Sequence, residues 1–257
     1  MILLRLLIAM IAFATAAAAG AQALPNEGQS ERAYHAFVAA KPHVAAQVRE
    51  FEDWLRHKRV YGILPTWQVL RTASMWSECS GPPFEVPPRK LWPNVAATLR
   101  FVRDHVVGAV GPVQAASAYR NPNLNVCAGG AVGSAHRDFS ALDLVPAKPL
   151  DRRQIFDRMC RLHRLKGPAN RVGLGFYAFT RFHVDTRSFR RWGSAGPAGN
   201  ESPCAVLERG GDPLAPPLPP PPVPGAPQSI SPAPAEVPSN PAPKPQPAPN
   251  RVGKRLN

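Results

Sequence analysis

The stretch SAHRDFSALDLVP, residues 134–146, holds the turn and the strand around which the rest of the chain has to be arranged. After His136 comes a small, turn-prone run, and ALDLV, stopped by Pro146, reads as a short strand that carries Asp143. The two-residue period of a strand puts Leu142 and Leu144 on the face opposite Asp143. A second segment, RFHVD at 181–185, brings His183 on a later apolar run. Two imidazoles and one carboxylate from two separate segments form a donor set that suits Zn2+, and an open fourth position would make such a site catalytic. His136, Asp143 and His183 are therefore the candidate metal ligands. Spacing alone does not establish this, because HxxxxxxD lacks the specificity of HExxH or paired CxxC motifs. Taken singly, a loop histidine, a capping acid and a core histidine explain the same three residues.

The neighbouring segments read as mixed elements. VQAASAY, 113–119, is a strand running into the turn RNPN, and it delivers Ser117, Tyr119 and Arg120 to a loop edge. Asp151 and Gln154 form a capping-box pair, with Leu150 and Ile155 as a hydrophobic staple, so a helix is expected from here to about Gly167. VGLGFYAF and RFHVD read as two strands joined by a tight turn near Thr180. Upstream, the apolar spacing of Val44, Val48, Phe51, Trp54 and Leu55 marks a helix over 43–57, and a further helix is expected from Trp92 or Asn94 to near Val107. The pattern is α+β in a single domain.

The flanks are of a different kind. Arg5, the apolar run Leu6 to Phe13 and the small residues ending at Ala23 read as a secretory signal peptide over residues 1–23. No later apolar run reaches the roughly 18 residues of a membrane span. Seventeen of the 32 prolines lie between Pro213 and Pro249, so residues 212–257 cannot bury a core and are expected to form a disordered, extended tail, a spacer or a passive appendage. Between these lie an N-terminal helical portion, 24–91, and a core, 92–211. Cys79, Cys127, Cys160 and Cys204 all follow the signal peptide and suggest two disulfides, with three connectivities open. The formal charge of +14 falls to +11 for residues 24–211, once Arg5, Lys244, Arg251, Lys254 and Arg255 are set against Asp212 and Glu236. In an exported chain, periplasmic or extracellular, such a field favours anionic polymers or carboxylate-bearing substrates over nucleic acid.

SAHRDFSALD resembles the SxHxxGxAxD signature of the zinc D-Ala-D-Ala carboxypeptidase and murein endopeptidase family. SAYRNPNLN is similar to that family's segment ahead of the metal motif, and GLGFY with RFHVDTRSFRRWG is similar to its closing segment. The resemblance covers about residues 92–193. It implies the hedgehog/DD-peptidase α+β fold, zinc held by His136, Asp143 and His183, transition-state stabilisation by Arg120, and a supporting or substrate-contacting role for Ser134. The implied substrate is a peptide bond in the stem or cross-link peptides of peptidoglycan, with Tyr177 and Trp192 as candidate cleft residues.

Two positions depart from the family pattern. Phe139 occupies the usual glycine position, and Thr180 stands three residues before His183, where many members carry an acidic base. Sequences resembling this family can instead show an HxD ending like His183 and Asp185, which makes Asp185 the candidate base. On a strand Asp185 shares the face of His183 and is equally placed to orient that histidine. The competing reading from another class is a catalytically silent wall-binding module on the same fold. Serine hydrolysis through Ser134 or Ser117 is disfavoured by the absence of a GxSxG elbow.

Overall fold

The computed structural model describes residues 27–193 and 201–215. The expected signal peptide and all but the first residues of the expected tail lie outside them.

The chain opens with α1, Glu31–Ala39, whose first turn is capped by the Ser30 hydroxyl accepting from the backbone of Ala33. The expected helix over 43–57 is α2, Pro42–His57, entered through a proline whose missing N–H costs nothing at that position. Val44, Val48, Phe51 and Leu55 form its buried stripe. A short α3, Thr66–Val69, follows. Next comes α4, Trp92–Phe101, which passes through a π-helical turn, Val102–Val106, into α5, Val107–Val110. The run therefore ends three residues beyond Val107, where Gly111 takes a left-handed backbone at φ 78°.

Then come β1, Val113–Ser117, α6, Pro122–Cys127, β2, Ala141–Pro146, and α7, Arg152–Asn170. The capping box of Asp151 and Gln154 is formed in both directions. α7 does not stop at Gly167. That glycine is inside the helix because a Cβ there would meet the Phe189 ring at 2.9 Å and the His163 ring at 3.0 Å. The stop is at Arg171, in the left-handed conformation at φ 53°. β3, Gly173–Phe176, and β4, Phe182–Asp185, are the two expected strands. β5, Arg190–Gly193, and α8, Pro203–Glu208, had not been anticipated, and neither had α6, where only a turn was expected.

The five strands form one sheet in the order β1-β2-β4-β3-β5, antiparallel except for the parallel pair β3 and β5. One face carries Leu142, Leu144, Leu174, Phe176, Phe182 and Val184, in the same apolar cluster as residues of α4 and of α7. Phe156 of α7 meets Phe176 edge-on with ring centroids 4.9 Å apart. The other face bears the polar residues, and the register aligns them in rows.

The N-terminal portion covers the sheet's β1 edge. Gln68 accepts from the backbone of Ala115 at 2.9 Å, Arg71 donates to the Ala115 carbonyl at 2.6 Å, and Ala118 donates to the Arg71 carbonyl at 2.9 Å. An open edge is a template for unwanted pairing, and these contacts occupy it. Burial away from any counter-charge lowers the pKa of Arg71 to about 10. The four cysteines pair as Cys79–Cys127 and Cys160–Cys204, the second joining α8 to α7.

Candidate metal centre

Strand register assembles the site. Ser117, Asp143, His183, Gly175 and Trp192 are successive cross-strand partners from β1 to β5, so they form one row on one face. Two residues along, Asp185, Gly173 and Arg190 form a second row on the same face. Ser117 joins the first row because β1 is irregular between Ala115 and Ser117. An extra residue there turns the following side chain to the other face.

The glycines of GLGF have a packing role. A Cβ on Gly173 would lie 2.1 Å from the Asp185 carboxylate, and one on Gly175 would lie 2.2 Å from the Trp192 ring. Their absence lets Arg190 and Trp192 reach across β3 toward β4. Trp192 packs on His183 with ring centroids 5.3 Å apart and on Tyr177 at 5.1 Å.

His136 enters from the turn before β2. Its Nε2, the Asp143 Oδ1 and the His183 Nδ1 make a triangle with every side 3.1 Å. All three residues are buried. Among the described residues, this is the one group of histidine, cysteine or acidic side chains placed to hold a metal ion.

The outer nitrogens set the tautomers. His136 Nδ1 lies 2.5 Å from the Ala118 carbonyl and His183 Nε2 lies 2.8 Å from Asp185 Oδ2, both acceptors, so both N–H groups point outward. The inward atoms are then two bare ring nitrogens and a carboxylate oxygen, which repel one another unless a positive charge sits between them. Tetrahedral bonds of about 2.0–2.1 Å place ligand atoms about 3.3 Å apart, close to the observed triangle. The residues fit a zinc ion.

The electrostatics express the same demand. Burial lowers the His136 pKa to about 4. At His183 burial also acts downward, but hydrogen bonds to Asp143 and Asp185 outweigh it and raise the pKa, a proton being an alternative to the metal cation. Burial opposes ionisation of Asp143, yet the neighbouring His136 and the guanidiniums of Arg181 and Arg120 hold its pKa well below the ordinary carboxylate value.

A cleft of about 600 Å³ opens over the triangle. Arg120, Ser134, Tyr177 and Trp192, all anticipated as site residues, lie on its wall, with exposed Met75 and Phe179 at the rim. Arg120 donates from Nη2 to Asp143 Oδ2 at 2.6 Å and from Nε to Ser117 Oγ at 3.1 Å. That hydroxyl is thus engaged with a guanidinium. Ser134 Oγ accepts from the backbone of His136 at 3.3 Å.

Asp185 lies behind the triangle. It is fully buried, with Oδ2 on His183 and Arg190 at 2.8 Å each and Oδ1 accepting from the Arg187 backbone at 2.9 Å and Arg190 at 3.0 Å. Two cleft residues escaped the sequence reading. Arg181 donates to Asp143 Oδ2 at 2.6 Å, and Arg190 pairs with Asp185. The strand period that put Asp185 on the face of His183 also pointed to Arg181, two residues the other way.

Comparison with known proteins gives one match. The family model of Peptidase M15 matches residues 71–185, a span that contains His136, Asp143, His183 and Asp185. No curated protein and no solved structure matches the chain. This segment, which carries every member of the triangle, is similar to the peptidase M15 family.

Proposed function

We propose that the chain is an exported zinc peptidase that hydrolyses peptide bonds in the stem or cross-link peptides of peptidoglycan. The observation that carries this reading is the triangle of bare donor atoms 3.1 Å apart, with both outward histidine nitrogens committed to acceptors. The match of residues 71–185 to the peptidase M15 family supports peptide hydrolysis, and the two disulfides suit an oxidising compartment. Among the described residues no helix is long and apolar enough to cross a membrane.

Zinc held by His136, Asp143 and His183 supplies Lewis-acid chemistry, polarising a carbonyl and acidifying water. The chain's own residues do the rest. Arg120 lines the cleft, and its Nη1 makes no hydrogen bond among the described residues. That donor is available to the oxyanion that develops when a peptide carbonyl is attacked, a contact that strengthens as charge builds. Tyr177 and Trp192 form an aromatic wall against which a peptide lies, and Ser134 stands at the mouth.

Of the two roles open to Asp185, its surroundings support orientation of His183. Both oxygens are occupied, and the partner is the histidine nitrogen on the far side from the triangle. The described lining of the cleft holds Arg120, Arg181 and Arg190 and no acidic residue, which suits a carboxylate-bearing peptide.

Digestion of purified sacculi, with peptide products resolved by mass, tests the function. Terminal D-Ala release or cross-link opening is expected, lost with a chelator and restored by zinc. An absence of any metal-dependent product overturns the enzymatic reading.

A further inference from the structure

Asp143 is the one ligand of the triangle able to bind a metal through either one oxygen or two. Its Oδ1 faces the two histidines. Its Oδ2 accepts from Nη2 of Arg120 and from Nη2 of Arg181, each at 2.6 Å. An ionised carboxylate offers about two lone-pair directions on each oxygen, so these two donors fill Oδ2.

Bringing two guanidiniums to one oxygen is not a placement they adopt unaided, since like charges repel. Arg181 Nε is also buried without a hydrogen-bond partner among the described residues, which is itself a cost to placing the guanidinium there. The arrangement is held from outside. Arg120 is anchored through Nε to Ser117 on β1, while Arg181 is anchored through Nη1 to Ser74 Oγ at 3.2 Å and lies over the Tyr177 ring at 4.6 Å. The two guanidiniums therefore grip Oδ2 from separate parts of the fold.

We propose that Arg181 is a positioning residue of the metal centre: with Arg120 it occupies Asp143 Oδ2 and so keeps Asp143 a one-oxygen ligand through Oδ1. The inference rests on the cluster being a metal site and adds what sets its coordination number. A carboxylate free to turn would offer its second oxygen and take up the position that water or substrate needs.

Zinc affinity by chelator competition and the visible spectrum of the cobalt-substituted protein, compared between parent, Arg181→Met and Ser74→Ala, test this. Loss of a partner that orients a ligand costs about tenfold or more in affinity, and that is the loss expected for Arg181→Met. Its cobalt spectrum should also weaken, as a second carboxylate oxygen raises the coordination number. Ser74→Ala, which removes only the outer anchor, should move both readouts the same way by less. An unchanged cobalt spectrum in Arg181→Met overturns the proposal, whatever the affinity, because general loosening weakens binding without adding a ligand. Should circular dichroism show Arg181→Met unfolded, the Ser74→Ala spectrum decides by the same criterion. A parent that binds no zinc removes the metal reading itself, a result distinct from a parent and variant that bind alike.

Discussion

Phe139 adopts a left-handed backbone, φ 55°, at the position where the family pattern has glycine. That conformation costs a residue with a Cβ about 1–2 kcal/mol. The side chain offsets this cost, being fully buried between Phe51 and Tyr119 with ring centroids 5.9 and 6.1 Å away. Truncating a buried Phe removes about 3–5 kcal/mol, so Phe139→Gly should lose about 1–4 kcal/mol after the strain is relieved. Denaturant unfolding measures it, and a variant as stable as the parent would show that the aromatic contacts contribute little. Asp185→Asn is the second test at this scale. If Asp185 orients His183, zinc affinity should fall about 10–100-fold, with turnover largely recovered at saturating zinc. If it is the base, turnover stays low with the metal fully bound. His136, Asp143 and His183 were legible as a group because a donor set drawn from two segments and a resemblance both pointed to them. Arg181 was passed over: the strand period puts it on the face of His183, but nothing local identifies the carboxylate it meets 38 residues away in sequence.

At the level of elements, α2 and α7 were readable from local chemistry, an apolar stripe in one and a capping box in the other. The end of α7 was misread because glycine signals a helix stop and equally permits close packing, and only Phe189 and His163 decide between them. β5 is four residues long, and RRWG shows no apolar alternation; its place is set by parallel pairing with β3. Disulfide pairing was likewise beyond the sequence, and it bears on the cleft. Ala73–Met75 and Ala128–Ala131 both line the cleft, and the Cys79–Cys127 bridge ties together the segments that follow the first and precede the second. A double Cys79→Ser, Cys127→Ser variant should raise KM while leaving zinc content and kcat near parent values. An unchanged KM would mean that the walls hold their spacing without the bridge.

For the whole molecule, α+β architecture followed from the alternation of patterns, whereas sheet order did not, because it depends on which strands meet after the helices pack. Stability of the whole domain is tied to pH through His163. Its Nε2 donates to the Val172 carbonyl at 3.0 Å and its ring stacks on Phe189 at 4.5 Å. Burial pushes its pKa below the ordinary histidine value, with Arg191 acting the same way and Glu208 and the backbone bonds opposing. Above about pH 6.5 both folded and unfolded forms are neutral and His163 adds no pH dependence. As pH falls below that value the unfolded chain takes up the proton first, so this residue's contribution declines. Thermal melts at about pH 5 and about pH 7.5 should show a smaller difference for His163→Gln than for the parent, and equal differences would contradict the assignment.

One zinc ion is expected inside the triangle of His136, Asp143 and His183. Anomalous diffraction at the zinc edge from crystals grown with zinc tests it most directly. One strong peak is expected about 2.0–2.1 Å from His136 Nε2, Asp143 Oδ1 and His183 Nδ1, with Asp143 Oδ2 remaining on Arg120 and Arg181. A zinc-soaked crystal with no peak among these three atoms, or with zinc bound elsewhere, would contradict it.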